Sequence, residues 1–122
     1  MLTVTAGIGD PARTRFIEIE LVVDTRSSYT SLPASLLKEL GVEPTEERLF
    51  IDSKGVRGLA GVAQTWMRIG DQEEMAVVVF AEEDKPPVLG WVTLNEFSLA
   101  ITPSGKELVR VPAYMISRRV QR

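Results

Sequence analysis

With no histidine and no cysteine among its 122 residues, this chain can do acid–base chemistry only with carboxylates, lysine or tyrosine. Thiol catalysis, cysteine-based zinc sites and a disulfide framework are excluded. Among the carboxylates Asp24 stands apart. It follows the apolar run Leu21-Val22-Val23 and precedes Thr25, Arg26, Ser27 and Ser28, so a strand delivers the acid to the mouth of a hydroxyl-rich loop. A carboxylate carried by a rigid strand is positioned well enough to react, whereas an acid on a mobile loop usually is not. Its chemistry is that of a general acid or base, and the fuller version uses two carboxyls sharing one proton around a water.

The elements that must hold Asp24 are mostly strands. Ile17, Ile19, Leu21 and Val23 alternate with Glu18 and Glu20, the period-two pattern of a strand with one wet face. Further strand-like runs cover 2–6, 48–51, 56–69, 75–80, 99–101 and 108–111. The separators Asp52-Ser53-Lys54-Gly55, Gly70-Asp71-Gln72-Glu73 and Pro103-Ser104-Gly105-Lys106 are dense in turn formers, which predicts antiparallel hairpins. Two short helices interrupt this pattern. In the first, Ser31 is the expected cap, Pro33 suits the opening turn, Leu36, Leu37 and Leu40 share a face, and Gly41 is the stop. In the second, Trp91, Leu94 and Phe97 recur at helical spacing after Val88-Leu89-Gly90. The chain thus reads twice as hairpin strands, a loop and a short helix.

Composition narrows the class. A chain of this length with 44% hydrophobic residues can bury a core without staples, as one domain spanning 1–122. A formal net charge of −3 gives no broad basic field for nucleic acid or an anionic membrane. Arg118, Arg119 and Arg122 make a small basic tail that reads as a solvated terminus. No segment has the length of a membrane span, and the first residues lack a basic region followed by an apolar core. The expected location is the cytoplasm, with no cofactor and no metal.

The stretch from Leu21 through Asp24-Thr25 to Leu32-Pro33, the leucine helix and Gly41 resembles the active-site region of the retropepsin-like aspartic peptidases, where a strand, Asp-Thr-Gly-Ala and a helix form half of the site. Pro87-Val88-Leu89-Gly90-Trp91-Val92-Thr93-Leu94 is similar to the apolar-apolar-Gly element and helix near that family's C-terminus, and Leu108 to Tyr114 is similar to the ending of its small prokaryotic members. The resemblance implies a closed β-barrel with one or two short helices that forms a two-fold dimer. It implies an aspartic endopeptidase, a hydrolase acting on a peptide or unfolded protein. Asp10, Asp52, Asp71 and Asp84 lie in loop-like contexts, so the second carboxyl would have to be Asp24 of a second copy, and a two-fold axis would bring the two together.

By the same resemblance Asp24 is the catalytic residue and Thr25 braces the partner's loop, while Ser27 and Ser28 are placed to hydrogen-bond the carboxylate or the substrate backbone. The segment 50–62 takes the place of the flap, with Asp52, Ser53, Lys54, Gly55 and Val56 at its tip against bound peptide. Plainer readings stand beside these. An Asp-Thr pair is common at turns, a β-branched threonine is ordinary at a strand end, serines in a turn need no further role, and Tyr29 fits core or interface. Glycines 55, 58 and 61 equally suit a tight turn with bulges.

Arg26 departs from the family's glycine. Its backbone N–H is retained, but bulk and a permanent charge are added beside the acid. A cation within a few ångströms lowers a carboxyl pKa by about 1 to 3 units, which would weaken the activity by removing the shared proton. The alternatives are a side chain turned away from the cleft, or one that recognises an acidic group on a peptide. The rival functions are a catalytically inactive peptide- or protein-binding dimer of the same fold, and a generic small β-barrel acting as an interaction module.

Overall fold

The structure, a computed structural model, describes residues 1–112; the basic tail and the Ala113-Tyr114 end of the C-terminal run lie outside the described residues. Half-buried and buried apolar positions on alternating strand residues organise it. β1 (Thr3–Gly9) pairs antiparallel with β2 (Phe16–Val23) from Thr3 opposite Val22 to Gly9 opposite Phe16. In the loop between them, the Asp10 carboxylate accepts the N–H groups of Thr14 and Arg15 at 2.7 and 2.9 Å, an Asx-type closure of the turn. Leu21 and Val23 turn into the core while Glu18 and Glu20 stay exposed, as the alternation requires.

Two strands lie where the sequence reads as loop. β3 (Thr30–Pro33) runs parallel to β6 (Gln72–Ala81), and β7 (Val88–Leu89) fits between β2 and β3, parallel to the first and antiparallel to the second. Ser31 is therefore not a helix cap: it pairs with Val79 and Val88 inside the sheet. The first helix, α1 (Ala34–Glu39), begins after Pro33 and is capped from across the chain. Glu83 accepts the Ser35 N–H at 3.0 Å and its hydroxyl at 2.6 Å, filling a donor that the helix itself leaves orphaned. The helix stops as the sequence predicts. Gly41 takes φ 75°, its N–H reaches the Lys38 carbonyl, and the Val42 N–H reaches the Leu37 carbonyl, which is a Schellman motif.

The rest follows the hairpin signals. β4 (Glu46–Ile51) pairs with β5 (Arg57–Ile69), and β5 with β6 (Gln72–Ala81) across the Gly70-Asp71 turn. After β7 comes α2 (Trp91–Glu96), then the small hairpin of β8 (Leu99–Ile101) and β9 (Leu108–Arg110). The seven-stranded sheet runs in the order β1-β2-β7-β3-β6-β5-β4, and β1 also pairs with β5 at Gly7–Arg68 and Ile8–Met67. The sheet thus curls back on itself around Ile8, Leu21, Leu32, Leu37, Met67, Leu89 and Phe97, each fully buried. Among the described residues no helix is long and apolar enough to cross a membrane, and no cluster of side chains is suited to a metal ion.

Candidate active site

Asp24 is held from three sides because β2 hands it directly from a ladder into a turn. Val23 donates its N–H to Leu2 O, and Asp24 donates its own to Leu89 O at 3.1 Å, continuing the β2–β7 pairing by one residue. The Asp24 carbonyl then accepts the Ser27 N–H at 3.1 Å, which closes the turn. This leaves the carboxylate partly exposed at the strand's end, with 30% of its side chain open to solvent.

The loop after Asp24 and the start of α2 complete each other. α2 has no side-chain cap; its first donors are taken by the loop, Trp91 N–H by the Ser27 carbonyl at 2.8 Å and Val92 N–H by the Ser28 carbonyl at 2.9 Å. Loop carbonyls therefore do the work that a capping serine or aspartate would do. Closer in, Gly90 sits so tightly against Tyr29 that an added Cβ would lie 2.4 Å from the Tyr29 carbonyl carbon and oxygen. The Gly90 N–H donates to the Thr30 hydroxyl at 3.0 Å, and Thr30 shares a 2.6 Å hydrogen bond with Thr93.

Arg26 folds back on the acid. Its backbone N–H donates to Asp24 Oδ1 at 3.0 Å, so the expected amide contact is present despite the change from glycine. Its Nε donates to Oδ1 and its Nη2 to Oδ2, both at 3.1 Å. The side chain does not turn away from the acid. The guanidinium hydrogen bond first, and the backbone N–H second, hold the Asp24 carboxyl below its ordinary range against a smaller opposing effect of desolvation. The Arg26 side chain is 90% exposed, so the pair adds little to stability; its effect is on protonation.

Two hollows flank this turn. The larger, about 670 Å³, has Arg26, Ser28 and Tyr29 on one side and Phe50, Ile51 and Leu59 of the β4–β5 hairpin on the other. Tyr29 sets that wall: its ring meets Phe50 edge-on at 6.2 Å, and its hydroxyl accepts a hydrogen bond from Arg48 at 3.0 Å. Tyr29 is thus a half-buried wall of the hollow whose hydroxyl is engaged by Arg48. The second hollow, about 620 Å³, has exposed Thr25 beside Trp91, Leu94, Leu99 and Ile101. Ser27 lines the first hollow and spends its hydroxyl on the Tyr29 carbonyl at 3.1 Å rather than on the acid.

Residues 52–56 form the tip of the β4–β5 hairpin. Asp52 Oδ1 accepts the N–H groups of Lys54 and Val56 at 2.9 Å each, and Gly55 takes φ 81°, the glycine-dependent turn that a short hairpin loop uses. Among the described residues, Phe50, Ile51 and Leu59 reach the hollow, whereas Asp52, Ser53, Lys54, Gly55 and Val56 lie beyond its edge. The end of this hairpin is apolar: Leu49, Ile51, Val56 and Leu59 are all more than half exposed. Sequence reasoning did not find the Arg48–Tyr29–Phe50 contact or the Thr30–Thr93 pair. Alternation of Arg48 and Phe50 along β4 was the available signal for the first.

This architecture, strands and two short helices with the acid at the end of β2 and an apolar-apolar-Gly strand beside it, is a retropepsin-like fold. Among solved structures it is similar to a retropepsin-like aspartic protease from Rickettsia conorii, with TM-score 0.57 and 19% identity over 87% of this chain and 77% of that one. It is also similar to the simian foamy virus (mac) protease, with TM-score 0.54 and 15% identity over 75% of this chain and 90% of that one. No family model and no curated protein matches the sequence.

Proposed function

We propose that the protein is a homodimeric aspartic endopeptidase of retropepsin type, with residues 1–122 as one domain and Asp24 of each of two copies meeting at a two-fold axis. The observation that carries this reading is the seating of Asp24: a carboxylate at the end of a central strand, its backbone locked to Leu89 and its Oδ1 accepting the N–H two residues on. The likeness in fold to aspartic proteases supports it.

In such a dimer the two carboxyls share one proton. The ionised one takes a proton from water, whose oxygen attacks the peptide carbonyl carbon, while the protonated one hydrogen-bonds to the carbonyl oxygen. Collapse of the tetrahedral intermediate then breaks the C–N bond as the leaving nitrogen gains a proton. Thr25, exposed beside the acid, would brace the turn of the second copy. The β4–β5 hairpin would serve as the flap over an extended peptide whose alternate side chains enter pockets. The β1–β5 pairing supports reading the sheet as a closed barrel. The chemistry calls for no metal or cofactor, and neither nucleic acid nor membrane has a part in it.

One observation favours the second reading, a catalytically silent peptide-binding dimer: both Asp24 oxygens already accept hydrogen bonds from Arg26. Duplicated across the axis, this would deprive the pair of its shared proton near neutrality and weaken the enzyme. Asp24→Asn decides the matter. Cleavage of an unfolded peptide library at mildly acid pH should fall by at least about 10²-fold, while sedimentation shows a dimer before and after the change. Undiminished cleavage, or a wild-type monomer that cleaves, overturns the peptidase reading.

A further inference from the structure

Arg26 spends one edge of its guanidinium on Asp24 and leaves the other unspent. The inner edge, Nε and Nη2, grips the two carboxylate oxygens. A guanidinium carries five N–H groups in a planar fork, so Nη1 and the second Nη2 hydrogen form an outer edge in the same plane, turned about 120° from the first. Nη1 makes no hydrogen bond among the described residues. The side chain is 90% exposed and lines the larger hollow, in which Lys85 supplies a second cation that makes no ion pair among the described residues.

We propose that the outer edge of Arg26 is a carboxylate-binding subsite, so that the cleft selects peptides carrying an acidic group at the position beside Asp24. The inference rests on the reading of this hollow as a peptide cleft, but not on whether the peptide is cut. Planar, two-point recognition of a carboxylate is what a guanidinium edge does best. The inner pairing fixes the plane of the fork, so the outer edge is oriented before the ligand arrives.

Charge in the rest of the cleft limits the effect to one register. Glu47 and Glu82 line the same hollow and offset the two cations, so acidic peptides gain nothing from a general field. Only an acid that reaches the fork is favoured. Because the outer edge is otherwise hydrated, a neutral peptide leaves nothing buried and unpaired, and the preference amounts to about tenfold rather than to exclusion.

The test uses the intact protein and labelled extended peptides in which a single glutamate, or glutamine in its place, is moved along the sequence. All have amidated C-termini, and one further set keeps the free α-carboxylate. Fluorescence anisotropy should show glutamate bound about tenfold more tightly than glutamine at one or two adjacent positions. The difference should vanish in Arg26→Gln and survive only partly in Arg26→Lys, which keeps charge without the fork. If only the free α-carboxylate gives an Arg26-dependent gain, the subsite holds a chain end. Equal binding of the two series, a preference that persists in Arg26→Gln, or no peptide binding at all overturns the inference. Cleavage without acid preference would sink this proposal and spare the peptidase; acid-selective binding without cleavage would do the reverse.

Discussion

The hydroxyls of Thr30 and Thr93 meet at 2.6 Å with both side chains fully buried, and they tie the strand after the Asp24 turn to the helix that the turn caps. Thr30 also accepts the Gly90 N–H. One hydroxyl pair therefore links β3 to α2 and to the β7–α2 junction at Gly90. Thr30→Val, nearly the same shape, strands both the Gly90 N–H and the Thr93 hydroxyl in the core. A loss of about 1–3 kcal/mol is expected, measured by urea unfolding. Thr93→Val should cost less, since Thr30 keeps its Gly90 partner, and the double variant should cost less than the sum.

Gly90 admits no side chain. Its missing Cβ would lie 2.4 Å from backbone atoms of Tyr29, and backbone cannot step aside as the end of a flexible side chain can. Gly90→Ala is expected to destabilise by about 3 kcal/mol or more and to shift the turn that carries Asp24, so thermal unfolding and peptide binding should suffer together. A variant with wild-type melting would show that the two segments are less closely packed.

Arg26→Gly should move the pH profile in a definite direction. Arg26 lowers the Asp24 pKa through its side-chain hydrogen bond, its N–H and its charge. A lowered pKa means that the proton a dyad must share is lost at lower pH. Removing the guanidinium leaves the backbone N–H and raises the pKa, so the alkaline limb of kcat/KM should shift to higher pH and the rate near neutrality should rise about tenfold or more. A limb that stays in place, or moves down, would mean that Arg26 does not face the acid in the working protein.

The hairpin tip offers a change that separates motion from stability. Asp52→Ala removes the acceptor for the Lys54 and Val56 N–H groups at a solvent-exposed loop. Stability should change by less than about 1 kcal/mol, whereas a hairpin that closes over peptide would bind it several-fold more weakly. Unchanged peptide affinity in a loosened tip would argue against a closing role.

Much of this was legible because local physics agrees with the final fold. The alternation in residues 16–23, the turn residues after Ile51 and Ile69, and Gly41 as a helix stop all act within a few residues of themselves, and β2 and β8 fall where the pattern puts them. The short strands were not legible. Val88 and Leu89 make only a two-residue strand, and Thr30 to Pro33 contains hydroxyls and a proline that read as turn and cap; their strand character comes from the neighbours β2 and β6, which are distant in sequence. The cap of α1 was missed for the same reason, since its acceptor is Glu83 and not Ser31.

Sequence by itself determined the chemical inventory: no imidazole, no thiol, one carboxylate at the end of an apolar strand, and an arginine two residues on. It also determined that Arg26 could still offer its N–H, because every residue but proline has one. Tertiary structure alone decided where the guanidinium goes. A flexible side chain with several rotamers has no direction in sequence, and only the turn closed by Ser27 and clamped by α2 brings its fork onto both oxygens of Asp24.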